Sequence, residues 1–114
     1  MPMLKIQTNQ PVDPQRQQAL TSKASKTVAE LLGKPERYVM VSLDAGRPML
    51  FAGDDTPLAY LELKSIGLPE DRSSDFSSAL CELMQAQLGI APERVYIEFS
   101  GASRHLWGWN GATF

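Results

Sequence analysis

Cysteine and histidine are almost missing from this sequence: Cys81 and His105 stand alone among 114 residues. One thiol rules out an internal disulfide, and one residue of each kind cannot build a zinc site. No run approaches the roughly 18 apolar residues of a membrane span, and no basic amphipathic segment suggests a membrane surface. Acids and bases are interspersed and leave a formal charge of −2. The basic stripe that holds nucleic-acid phosphates is therefore absent. There is no glycine-rich phosphate loop, no dinucleotide fingerprint and no serine in a nucleophile elbow. The N-terminus has no charged region followed by a long apolar stretch, so no signal peptide is expected. The expected compartment is cytoplasmic, with leaderless export still open. Neither metal nor cofactor is expected.

What is present is enough for one packed core. Apolar residues make up 43% of the chain, which fits a single domain over residues 1–114. A domain this small buries a modest share of its surface, so oligomerisation would help it. Pro35-Glu36-Arg37 recurs as Pro92-Glu93-Arg94, half the chain later. At the same offset Leu4 meets Leu61, Ile6 meets Leu63 and Ala29 meets Ala86. Each half, about 1–57 and 58–114, also has the same order of elements. Leu4 and Ile6 alternate with polar residues, as do Leu61 and Leu63, which is strand period. Asp13-Pro14 then offers an N-cap with proline at the first helical position. Leu20, Ala24, Val28 and Leu31 share one helical face, and so do Phe76, Leu80, Leu83, Met84 and Leu88. Gly33 and Gly89 supply left-handed caps. Second strands are expected over Tyr38 to Leu43 and Val95 to Phe99.

This is an α+β reading: two tandem βαβ units in a four-stranded mixed sheet, with both helices on one face. The other face would carry Met3, Met40 or Val41, Tyr60 and Tyr96. It reads as apolar and in need of cover, most simply from another subunit. Residues 44–57 read as a linker, with Met49-Leu50-Phe51-Ala52 a candidate edge strand. The tail reads as extended, with Trp107 and Trp109 on one side.

The chemistry available is narrow. His105, beside two tryptophans, fits a surface or interface role better than that of a base. Pro2 is different. Without Met1 it is a free secondary amine, and α-amino groups titrate nearer neutrality than lysine does. Apolar surroundings lower that pKa further, giving a neutral base near physiological pH. A proline tolerated at a strand end is the plain alternative. Lys34, in Gly33-Lys34-Pro35, lies where the first helix turns into a strand parallel to the first. It therefore falls at the same sheet edge as Pro2. It could bind a carboxylate, or simply favour the helix C-terminus.

Pro2-Met3, Thr8-Asn9, Gly33-Lys34-Pro35, Ser65-Ile66-Gly67, Pro92 through Ile97, and Gly108-Trp109-Asn110 with Thr113-Phe114 together resemble the macrophage migration inhibitory factor family of the tautomerase superfamily. The resemblance spans nearly the whole chain. It implies a homotrimer with sites between subunits and a cofactor-free keto–enol tautomerase. It also implies small aromatic keto or enol acids as substrates, with phenylpyruvate and dopachrome-type compounds as tests. By that resemblance Pro2 is the catalytic base and then acid, and Lys34 binds the substrate carboxylate. Ile66 offers its backbone N–H, and Tyr96 comes from a neighbouring subunit. Met3, Tyr38, Trp107, Trp109 and Phe114 form the pocket wall. Removal of Met1 is expected, because a small residue follows it.

Three positions depart from the animal pattern. Glu98 stands where an asparagine is usual, and would repel an acid or perturb Pro2. Trp107 replaces a smaller aliphatic residue. Pro57-Leu58-Ala59-Tyr60 occupies the place of a Cys-x-x-Cys motif, so thiol exchange there is excluded. Cys81, among apolar helix neighbours, reads as a buried structural thiol. The alternative function is a cytokine-like signalling protein with a receptor partner and weak or vestigial catalysis.

Overall fold

The computed structural model describes residues 1–114. In chain order the main elements are β1 (Met3–Thr8), α1 (Pro14–Leu32), β2 (Met40–Asp44), β3 (Ala59–Ile66), α2 (Ser73–Leu88), β4 (Val95–Ala102), β5 (Gly108–Trp109) and β6 (Ala112–Thr113). The first four strands in sheet order are β2-β1-β3-β4. β1 pairs parallel with β2, and β3 with β4, while β1 and β3 run antiparallel at the centre. The α+β class, the mixed sheet and the two helices on one face are as the sequence indicates. No helix is long and apolar enough to cross a membrane.

Local chemistry sets the ends of the helices. The Asp13 carboxylate accepts from the Arg16 N–H at 2.9 Å, and Pro14 opens α1. Both helices end on a left-handed glycine, Gly33 at φ 61° and Gly89 at φ 67°. Leu20, Ala24 and Val28 of α1 meet Phe76, Leu80, Leu83 and Met84 of α2 over Leu4, Ile6, Leu61 and Leu63 of the central strands. Leu31 and Leu88 close the margin of this core and are only partly buried.

Several expectations need correction. Tyr38 does not begin a strand. Pro35 fixes the entry angle, and Glu36–Tyr38 forms one 3-10 turn in which Val39 N–H donates to the Glu36 carbonyl at 2.9 Å. Pairing starts only at Met40, opposite Met3. That register puts Met40, not Val41, on the uncovered face, since Val41 packs on the core. Met49–Ala52 is not an edge strand. Ala52 and Gly53 have φ of 55° and 73°, and Phe51 and Asp54 exchange both backbone hydrogen bonds, so the segment closes a tight hairpin turn. The tail is not simply extended either. It makes a 3-10 turn over Arg104–Leu106 and then a hairpin whose Asn110-Gly111 bend has φ of 52° and 76°. Cys81 is half-buried rather than buried.

The uncovered sheet face is mixed, not apolar. Lys5 and Lys64 approach Glu62 at 3.9 and 3.8 Å, and the Tyr60 hydroxyl donates to Glu98 at 2.7 Å. Apolar surface lies at its margins, where Met40 and Tyr96 are 65% and 66% exposed.

Candidate functional site

The sheet topology brings the start of β1, the start of β2 and the end of β3 to one edge. Lys64 lies opposite Met3 in the antiparallel register, so Ser65 and Ile66 flank the chain's first two residues. Pro2 is fully buried, and its carbonyl accepts from Met40 N–H at 3.0 Å. The proline ring is thus held between two strand starts, and its fixed φ removes the remaining freedom. Ser65 is buried beside it and donates to the Ile66 carbonyl at 3.1 Å.

A cavity of about 300 Å³ opens at this edge. Its lining includes Pro2, Met3, Arg37, Tyr38, Trp107 and Trp109, with Phe114 closing it. The tail hairpin brings the last three of its aromatics here. Trp109 and Phe114 stack at 5.3 Å with planes 12° apart, and Tyr38 meets each edge-on, at 5.9 and 5.8 Å. Phe114 N–H donates to the Trp107 carbonyl at 3.2 Å and ties the terminus to the hairpin. Stacked and edge-on aromatic pairs of this kind make a rigid apolar wall suited to a flat ring.

The electrostatics at the same point disfavour a charged amine. The Met1 ammonium donates to the Tyr38 carbonyl at 2.7 Å. Its pKa is pushed below 8.0, first by burial and then by the positive charge of Lys34. Lys34 follows the αL cap of α1, where its own N–H donates to the Ala29 carbonyl at 3.0 Å. It is half-buried, takes part in no ion pair, and its field reaches the N-terminus.

Three further candidates, Ile66, Tyr96 and Glu98, do not line the cavity. Ile66 is at the same edge, buried at the end of β3. Tyr96 and Glu98 are toward the far end of β4. Tyr96 pairs with Tyr60, which pairs with Gln7 of β1. At about 3.3 Å per residue and 4.8 Å per strand, Tyr96 stands about 19 Å from Pro2 and Glu98 about 14 Å. Neither lines the cavity in its own chain. Tyr96 meets Phe51 instead, with ring centroids 4.6 Å apart and planes tilted by 42°, in a second apolar hollow with Leu50 and Tyr60. His105 is exposed in the tail turn. No group of three metal-ligating side chains comes together anywhere. Arg37 and Met40 also line the cavity; the sequence presents Arg37 only as part of a repeat and Met40 only as a residue of the sheet face. The signal for Arg37 was available: it lies between Lys34 and Tyr38 on the same short connection.

Comparison with known proteins gives a consistent result. The family model for macrophage migration inhibitory factor (MIF) matches residues 1–114. A curated macrophage migration inhibitory factor homolog from Brugia malayi is 37% identical over 115 residues, covering 100% of this chain and 99% of its own length. The macrophage migration inhibitory factor of Mus musculus is 34% identical with the same coverage. Among solved structures, the homologue from Prochlorococcus marinus is 43% identical with a TM-score of 0.92, over 98% of each chain. That of Trichinella spiralis is 32% identical with a TM-score of 0.90, over 98% of this chain and 99% of its own.

Proposed function

The chain belongs to the macrophage migration inhibitory factor family, and from that membership we propose a cofactor-independent keto–enol tautomerase that uses Pro2 as its base once Met1 is removed. The observation that carries the reading is the environment of the N-terminal amine. Burial and Lys34 already hold the Met1 amine below its ordinary pKa. With Met1 removed the amine is that of Pro2, whose ring is fully buried in the full chain, and burial of this kind disfavours the charged form.

In the proposed reaction, neutral Pro2 removes a proton from the carbon next to a carbonyl. The electron pair left behind forms the C=C bond, and charge develops on oxygen. Pro2 then delivers the proton to that oxygen, and ketonisation runs the same steps in reverse. Lys34 holds the substrate carboxylate and Ile66 offers its backbone N–H. The ring lies against Tyr38, Trp109 and Phe114, between Met3 and Trp107. Tyr96 of a neighbouring copy assists at the oxyanion, with Glu98 of the same copy beside it. The assembly proposed is a homotrimer.

The test is ketonisation of the enol of phenylpyruvate by protein whose intact mass shows Met1 removed, beside a Pro2→Gly variant. The expected result is turnover by the wild type and loss of about a hundredfold or more in the variant, the usual range for a general base. Equal rates, or full activity in protein that retains Met1, would overturn the proline base.

A further inference from the structure

We infer that Arg37 binds a second anionic group of the substrate, so that the pocket around Pro2 takes a ring-bearing acid with two carboxylates; this rests on the tautomerase reading above. Four of the other arginines donate to protein oxygens. Arg16 reaches the Gln87 carbonyl, Arg47 the Asp44 carboxylate, Arg72 the Leu31 carbonyl, and Arg94 the carbonyls of Phe51, Asp54 and Thr56. Arg37 lines the cavity yet takes part in no ion pair. Its guanidinium lies over the Tyr38 ring, 4.8 Å from the centroid. Stacking of this kind uses the flat face of the guanidinium and steadies it. The N–H groups lie in its plane and stay open, in the fork that matches a carboxylate with two parallel hydrogen bonds.

The charge around the cavity agrees. No aspartate or glutamate lines it. Lys34, outside the lining, and Arg37, within it, lie on one connection, three residues and at most about 11 Å of backbone apart. Lys34 acts at the Pro2 end, where its field reaches the N-terminus. Arg37 sits on the ring of Tyr38, whose edges meet Trp109 and Phe114. A flat ring held by these aromatics, with one carboxylate at Lys34, directs a substituent on its far side toward Arg37. A mono-acid leaves that guanidinium, which is exposed, to water alone.

The experiment compares three enols with Met1-free protein: phenylpyruvate, its para-carboxylate and its para-carboxamide. The carboxamide matches the carboxylate in size without its charge. The wild type is expected to favour the carboxylate over the carboxamide by about tenfold in kcat/KM, mostly through KM, as hydrogen bonds to a charged group imply. Arg37→Gln should bring the ratio close to one, and Arg37→Lys should restore part of it. A second measurement needs no turnover: quenching of tryptophan fluorescence by 4-(carboxymethyl)benzoate against phenylacetate. Tighter binding of the diacid, lost in Arg37→Gln, supports the inference even if every enol proves inert, and in that case only the tautomerase reading fails. Equal binding of the two acids, or a preference unchanged in Arg37→Gln, overturns the role of Arg37.

Discussion

Replacing Gly33 by alanine tests whether the helix cap positions the site. Gly33 ends α1 at φ 61°, and a Cβ built there meets no atom within 4 Å. The cost is therefore conformational, not steric against neighbours. A left-handed L-residue costs roughly 1–2 kcal/mol. The stiffer unfolded chain of alanine offsets about 0.4–1 kcal/mol of that. The net loss is about 1 kcal/mol, or about 0.5 M in urea midpoint for an m-value near 2 kcal/mol/M. Gly89→Ala is the internal control, since Gly89 ends α2 at φ 67° in equally open space. Ile90 follows Gly89 and is fully buried, so α2 cannot relieve strain by fraying. Lys34 follows Gly33 and is half-buried, so the end of α1 can. Gly89→Ala should thus lose at least as much stability as Gly33→Ala. Only Gly33→Ala should shift Lys34 and raise KM for an acidic substrate, by roughly threefold for a loss of about 0.6 kcal/mol. Urea titrations at one fixed protein concentration, with steady-state kinetics beside them, read both effects. An equal rise in KM in the two variants, or no loss of stability in either, refutes the reasoning.

Three further outcomes follow from the charged and hydrogen-bonded groups. The Tyr60 phenol is pushed up to about 12, chiefly by its hydrogen bond to Glu98, so Glu98→Gln should return it toward 10, read as an earlier alkaline rise in tyrosinate absorbance that Tyr60→Phe removes. In protein that keeps Met1, the amine pKa is lowered below 8.0, so the unfolded chain binds more protons between the lowered value and 8.0. Stability should rise with pH across that window and level off above it, and Lys34→Ala should narrow the window; a flat profile of urea midpoints would count against it. Arg94 fastens the 51–56 turn through the carbonyls of Phe51, Asp54 and Thr56 at 2.9, 3.0 and 2.8 Å. Arg94→Met should cost about 2–3 kcal/mol and expose that turn to proteolysis before the rest of the chain; cleavage no faster than in the wild type would refute the clamp.

The parts of the fold that sequence reveals are those fixed by short-range chemistry. Asp13-Pro14 is a cap whatever surrounds it, and Gly33 and Gly89 are legible because only glycine takes a left-handed cap at little cost. The spacing from Leu20 to Val28 and from Phe76 to Met84 is a helix face in any context. Tyr38 is misread because β-propensity favours a strand, while Pro35 and the Glu36 carbonyl impose one turn before pairing starts. Asn110-Gly111 carries a plain hairpin signal, obscured by the two neighbouring tryptophans. The Tyr60–Glu98 bond depends on the register of β3 with β4, and Arg37 at the cavity depends on where the tail returns. Both are set by tertiary packing, and no local pattern encodes them. The aromatic wall was legible as a list of residues, but its joining of Tyr38 to the last hairpin was not.

The distance between the two ends of the sheet constrains the assembly. On the proposed mechanism Pro2 at one edge requires Tyr96 from another copy, and the two stand about 19 Å apart in their own chain. The contact therefore joins unlike surfaces, the Pro2 edge of one copy to the β4 side of the next. A two-fold dimer would have to bring both pairs together within one self-complementary interface that spans the about 19 Å between them. A head-to-tail contact must either close into a ring or run on as a filament. The uncovered sheet face is compatible with the proposed closed trimer. Its centre is charged and hydroxylic, through Lys5, Glu62, Lys64 and the Tyr60–Glu98 pair, while Met40 and Tyr96 at its margins are apolar and exposed. A ring buries such margins and leaves the polar centre wet. A fully active two-fold dimer would remove the trimer, whereas a fully active monomer, or Tyr96→Phe with unchanged kinetics, would remove Tyr96 from the chemistry.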